Sequence, residues 1–271
     1  MNRPKIACCN FISDVDELKR FAIDNGFEGV DWSFTRESFP QALVQESQLV
    51  EDISRLKPLE IRYHCAFNKV DIGDEDDAEA RRAMKMFRRV SRVVSKLGGS
   101  FLTIHVGLGR DNTNHLLWNR MIENLAQLVL FANTLDVHIC LENLAWGWTS
   151  RPHLFEKIIR RSGAWATLDI GHARVSPYIT SHHYDLEDFV VPHKERFLNA
   201  HVYHEEDHDT HIPPDCIADI EDRLHLLTEL PLCNWWVLEL REEKALLKTR
   251  DIVRAYLRRQ WEGVARGPGS R

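Results

Sequence analysis

The chain has 271 residues, 44% of them apolar and 28% charged, the proportions of a soluble globular protein. A formal net charge of -6 argues against bulk attraction to nucleic acid, which usually leaves a basic footprint, and no stretch approaches the roughly 20 apolar residues of a membrane span. The opening MNRPKIACCNF lacks signal-peptide architecture, and Cys8, Cys9, Cys65, Cys140, Cys216 and Cys233 show no CxxC spacing, so buried free thiols in a reducing cytoplasm are expected.

Short apolar runs then alternate with amphipathic segments eight times. PKIACC (4–9) leads to a helix near 14–25, FEGVDWS (27–33) to one near 40–56, and LEIRYHC (59–65) to the clearest, over 76–97. There Ala83, Met86, Phe87, Val90, Val93, Val94 and Leu97 recur at the spacing of one buried stripe. The sequence Lys96-Leu97-Gly98-Gly99 adds a cationic last turn and a glycine stop. The arginines and lysines between Arg81 and Lys96 fall on the opposite, solvated face. SFLTIHV (100–106), VHICLEN (137–143), AWATLDI (164–170), RFLNAHV (196–202) and NWWVLEL (234–240) continue the strand series. Helices are expected near 114–135, 151–162 with Pro152 in its first turn, 185–195, 215–230 and 244–261. No GxGxxG follows the first strand, and no Pro-, Gly- or Ser-rich linker divides the chain. The pattern predicts a single-domain α/β protein, a (β/α)8 TIM barrel over 1–262, with a disordered Gly- and Arg-rich tail over 263–271.

Histidines and carboxylates recur where the apolar runs end: His64, His105, Glu142, Asp169 with His172, His201, Asp209 with His211, and Glu239. In a barrel the C-terminal ends of all strands meet at one mouth, where active sites sit. One histidine at a strand end is more often a hydrogen-bonded rim residue than a ligand. Six consecutive strands each delivering His, Asp or Glu at one depth call for a common cation, because buried charges need partners. Mixed imidazole and carboxylate donors suit Zn2+, Mn2+, Fe2+ or Co2+, and no cysteine belongs to the set. His172, Asp209 and His211 are expected on loops over the mouth. Trp146 and Trp148 either wall a substrate pocket or pack their own loop. Arg110 and Arg174 either grip a substrate anion or form surface ion pairs. His204, Glu205, Glu206, Asp207 and His208 form an acidic, metal-attracting loop to which no role is assigned.

The segments ICLENL, TLDIGHA, HVYHEEDHDTHIPP and WVLEL resemble the LEN, LDxGH, HVHxxD…DxHxPPG and LE signatures of the xylose-isomerase-like TIM-barrel superfamily. The likeness runs through nearly the whole chain. It implies a divalent metal (Zn2+, Mn2+, Fe2+, Co2+ or Mg2+), one to three ions per chain, and an assembly that is often a dimer or tetramer. In the isomerase and epimerase members the counterparts of Glu142, Asp169, His201 and Glu239 hold one ion, and the two glutamates move a proton on a small sugar, sugar phosphate or polyol-like substrate. In the endonuclease IV-type members three zinc ions use all nine positions to cleave phosphodiesters. ENLAWGW and DIGH depart from the Thr/Gly-rich and DTCH-type segments of those endonucleases, and no basic face lines the mouth. An isomerase or epimerase of a small molecule is therefore the leading expectation. A multinuclear phosphoester hydrolase and a non-enzymatic metal-stabilised barrel stand beside it.

Overall fold

Runs such as KIACC and WATLD are apolar without alternation, the pattern of parallel strands covered on both faces. In the computed structural model, which describes residues 3–110, 112–208 and 210–265 with side chains to residue 260, eight such strands close into one parallel barrel. They are β1 (Lys5–Cys9), β2 (Gly29–Phe34), β3 (Glu60–Cys65), β4 (Phe101–Ile104), β5 (His138–Glu142), β6 (Trp165–Asp169), β7 (Phe197–Val202) and, after a two-stranded hairpin of β8 (Glu205–Asp207) and β9 (Thr210–Ile212), β10 (Trp235–Leu238). Around the barrel the order is β1-β10-β7-β6-β5-β4-β3-β2, so the (β/α)8 fold is as expected.

The helices are α1 (Val15–Asp24), α2 (Leu43–Arg55), α3 (Asp77–Lys96), α4 (Trp118–Asn133), α5 (Pro152–Ser162), α6 (Ile170–Val175), α7 (Pro177–Thr180), α8 (Glu221–Thr228) and α9 (Glu243–Ala265). In α3 the Asp76 side chain accepts from the Ala78 and Glu79 N–H groups, and Ala83, Phe87, Val90, Val93 and Val94 are buried. Among the described residues no helix is long and apolar enough to cross a membrane.

Three expectations change. The helix expected over 185–195 is two 3-10 turns, Leu186–Phe189 and Val191–Arg196, because Pro192 removes a donor and His193 leaves helical geometry at φ -150°, ψ 44°. The sixth strand stops at Asp169, whose carboxylate accepts from the His172 N–H at 2.7 Å and caps α6, so His172 rides on a helix rather than a loop. The acidic loop after β7 is a hairpin, with His211 on β9. Asp209 and residues 266–271 of the expected tail lie outside the described residues, and α9 continues through Gly263 to Ala265.

Alternate strand residues point into the barrel. Two positions before His64, His105, Asp169 and His201 stand Arg62, Thr103, Thr167 and Asn199, all buried. They form a hydrogen-bonded floor. Thr103 and Thr167 hydroxyls meet at 2.9 Å, Asn199 Nδ2 donates to both, and Arg62 Nη1 donates to Asn199 Oδ1 at 2.5 Å. The Arg62 guanidinium also lies over the Phe101 and Trp235 rings and donates to Asn234 Oδ1 at 2.9 Å.

Candidate metal centre

The layer above the floor is the mouth. Glu142 and Asp169 are the last residues of β5 and β6, His64 and His201 are penultimate in β3 and β7, and His105 and Glu239 immediately follow β4 and β10. The pairing of Asp169 with His201 across β6 and β7 fixes their level, and the closed sheet brings the other strand ends to the same place. His201 Nδ1 lies 2.9 Å from Glu239 Oε2, 3.3 Å from Glu142 Oε2 and 3.7 Å from Asp169 Oδ2. The same Glu142 oxygen lies 3.2 Å from His105 Nε2 and 3.6 Å from His64 Nε2. Glu142 thus stands between two donor sets, His64–His105–Glu142 and Glu142–Asp169–His201–Glu239.

The hydrogen bonds of the outer ring nitrogens determine where lone pairs point. Carbonyls only accept, so the partner nitrogen must carry the proton. His105 Nδ1–H donates to the Cys65 carbonyl at 3.1 Å, His172 Nδ1–H to that of Asn143 at 3.0 Å, and His211 Nδ1–H to that of Glu239 at 2.7 Å. Each Nε2 is left with a lone pair aimed into the mouth, the arrangement metal-binding imidazoles adopt. His105 Nε2 nevertheless faces His64 Nε2 at 3.2 Å. Two ring nitrogens that close, with a carboxylate oxygen beside them, need a cation or a proton between them.

The neighbouring set repeats this demand. Glu142 Oε2, Asp169 Oδ2 and both ring nitrogens of His201 are buried without a hydrogen-bond partner. Burial alone would raise the Glu142 carboxyl; His201 and His105 outweigh it and hold the group well below the carboxylate range. Burial likewise opposes ionisation of Glu239, and His201 again lowers it. Conversely, burial disfavours charge on His201, but Glu142 and Glu239 raise it well above the histidine range. Burial pushes His64 down to about 3. The carboxylates thus favour positive charge among them. The donor set and these unpartnered atoms fit a divalent ion.

The hairpin adds a third group. His172 Nε2 lies 3.2 Å from Glu206 Oε2, and His172, Glu206 and His211 offer atoms within 4.8 Å of one another. Tyr203 stacks on His211 at 4.0 Å and fills the space over Gly171, where any Cβ would stand 2.1 Å from its ring. That contact accounts for the glycine of DIGH. Asn143, the asparagine of LEN, exchanges two hydrogen bonds with the Asp169 backbone at 2.9 and 2.8 Å and locks the ends of β5 and β6 together.

The remaining expected residues separate. Trp146 reaches over the loop after β4, 3.4 Å from where a Gly107 side chain would begin. Trp148 turns away from the mouth to pack edge-on against Trp118 of α4, with ring centroids 5.1 Å apart. Arg110 is taken up by Asp71 and Asp74, the latter at 2.5 Å, which steadies the loop after β4 and leaves no open guanidinium fork for a substrate anion. Arg174 is exposed on α6. Two residues lie outside the expected ligand set. Glu206 belongs to the metal-attracting loop, but nothing in its run of five charged and imidazole residues singles it out. Asp31, in the middle of β2 rather than at its end, is 2% exposed and lies 3.8 Å from His64 Nδ1. Its signal was a carboxylate inside the apolar run GVDW.

The model of the xylose isomerase-like TIM barrel family matches residues 20–259. This chain belongs to that family. An uncharacterized protein of Methanocaldococcus jannaschii is 30% identical over 160 residues, 59% of this chain and 68% of the relative. Among solved structures, an L-ribulose 3-epimerase superposes with a TM-score of 0.76 at 17% identity, covering 99% of this chain and 100% of that one. The IolI protein, whose structure holds a zinc atom, gives 0.70 at 12% identity, covering 94% and 98%. At these identities the family's barrel is what the structures share with this chain.

Proposed function

We propose that the chain is a divalent-metal-dependent isomerase or epimerase of a small sugar, sugar phosphate or polyol-like molecule. The observation that carries this reading is the convergence of two carboxylates, Glu142 and Glu239, on His201 Nδ1 with Asp169 beside them. The epimerase likeness and the zinc of IolI support it. Glu142, Asp169, His201 and Glu239 would hold the ion, with zinc, manganese, iron, cobalt or magnesium as candidates. Bound there, it supplies a Lewis acid for the carbonyl and hydroxyl oxygens of an open-chain ketose. The chain's own residues move the proton. One of Glu142 and Glu239 accepts it from the carbon beside the carbonyl, and the other delivers a proton taken from solvent. Return on the opposite face inverts the carbon. Trp146, over the loop after β4, would cover a small substrate.

The test is solvent-deuterium incorporation into a panel of ketoses and ketose phosphates, followed by mass spectrometry. Exchange should require both Glu142 and Glu239, and undiminished exchange in Glu142→Gln would remove the assignment. A second reading, a multinuclear phosphoester hydrolase, is favoured by the additional donor set of His172, Glu206 and His211. Three ions per chain with cleavage of an abasic-site duplex or a simple phosphodiester would establish it instead. The burial of Glu142, Asp169 and His201 also suits a barrel that holds metal without turnover; a fully loaded chain that neither exchanges nor hydrolyses would select that reading.

A further inference from the structure

A metal-binding imidazole is correctly aimed only when its other nitrogen has a partner. His105, His172 and His211 find theirs in backbone carbonyls. His64 and His201 have no such carbonyl among the described residues. His64 Nδ1 instead faces Ser33 Oγ at 3.3 Å, Glu239 Oε1 at 3.7 Å and Asp31 Oδ2 at 3.8 Å. Of these, Glu239 belongs to the neighbouring donor set, and a serine hydroxyl can donate or accept and so selects no tautomer. His201 turns Nδ1 towards the mouth carboxylates, and its buried Nε2 has no partner. Asp31, His64 and His201 each offer an atom within 4.8 Å of the others.

Asp31 reaches this place by register. Ser33 pairs with His64 across β2 and β3, and Asp31 lies two residues earlier, on the same inward face of β2. Its carboxylate is sealed from water, off the ring of strand ends, 3.8 Å from His64 Nδ1 and beside the Trp235 indole. A buried ionisable group is retained there only with a partner.

We propose that Asp31 is a positioning residue for the metal centre: its carboxylate is the outer partner of His64, keeping the proton on Nδ1 and the Nε2 lone pair towards the ion. The inference rests on the metal reading above but not on the identity of the reaction. It assigns Asp31 no ligand bond.

The test uses the full chain stripped of metal and titrated with Co2+ against a competing chelator, for wild type, Asp31→Asn and Asp31→Ala. Ring 15N spectra of the histidines and thermal melts of the metal-free proteins accompany it. Expected is an unchanged number of ions, an affinity lower by about 10–100-fold, and ring signals of His64 shifted towards mixed tautomers. Unchanged affinity and ring signals would overturn the proposal, whether or not the melting temperature falls. So would the loss of one ion with the rest bound as in wild type, which would make Asp31 a ligand. Should Asp31→Ala not fold, Asp31→Asn, which keeps the side chain's shape, decides. A wild-type chain that binds no Co2+ would remove the metal reading and this inference together; wild-type binding with indifferent variants removes the inference alone.

Discussion

The barrel interior holds two stacked layers of buried polar side chains, and they are satisfied in opposite ways. In the floor, Arg62, Thr103, Thr167 and Asn199 find one another, so this four-residue network is complete as protein; the Trp235 indole N–H beside it is outside the network and lacks a partner. In the mouth, the layer above, Glu142 and Asp169 each keep a buried oxygen without a hydrogen-bond partner, and the buried Nε2 of His201 lacks one. The backbone, burial and strand register are the same; only the chemistry of the side chains differs. Burying unpaired polar atoms costs several kcal/mol, so a fold that tolerates them beside a satisfied layer reserves the space for a guest. On the proposed reading the floor is structure, and the mouth, whose buried His, Asp and Glu clusters could bind a metal, is a receptor for positive charge.

The strongest way to break this contrast is to remove a mouth carboxylate. Glu142→Gln or Glu239→Gln should lower solvent exchange into a substrate ketose by about 10²–10⁴-fold, the usual loss when a general acid or base is removed. Circular dichroism should show the barrel retained.

Stripping metal should be felt by the fold as well. With free ion at about 100 times its dissociation constant, the loaded chain should be more stable than the stripped one by about 2.7 kcal/mol, measured by chemical denaturation with and without chelator. Equal stability would mean that the mouth receives nothing. On the floor the outcome should reverse. Arg62→Leu leaves Asn199 and Asn234 oxygens without their donor and should cost about 1–3 kcal/mol, while the ions bound per folded chain stay the same.

The smallest effect expected is a pH dependence with a defined sign. Burial disfavours charge on His172, yet Asp169 and Glu142 raise it well above the ordinary histidine value, as Glu142 and Glu239 do for His201. In the metal-free chain these protons contribute stability that is present below the unfolded histidine pKa of about 6.5 and lost as pH rises through the elevated folded values. Metal must displace them, so its apparent affinity should rise with pH and binding near neutrality should release protons. Calorimetry in buffers of different ionisation heat reads that release; an affinity that fell as pH rose would contradict the assignment.

The barrel was readable because its signals are periodic. The strand runs and the stripe of α3 repeat at the spacings their burial demands, and the mouth residues follow from where those runs end. Other features depend on contacts distant in sequence. Asp31 comes near His64 across neighbouring strands, and no spacing within one strand announces it. Arg110 reads as an anion grip until Asp71 and Asp74, more than thirty residues earlier, close on it. Trp148 needs Trp118 to explain why it turns outward. The hairpin after β7 was obscured by its polarity, since Glu205–Asp207 and Thr210–Ile212 lack the apolar alternation of a strand.

The central claim, that the mouth is incomplete without a cation while the floor is complete, is tested most directly by metal analysis of the purified full chain after equilibration with Zn2+, Mn2+ or Co2+ and removal of free ion. The account predicts at least one tightly held ion per chain, lost in His201→Ala and retained in Arg62→Leu. A wild-type chain that holds no ion, or a His201→Ala chain that holds as many as wild type, would contradict it.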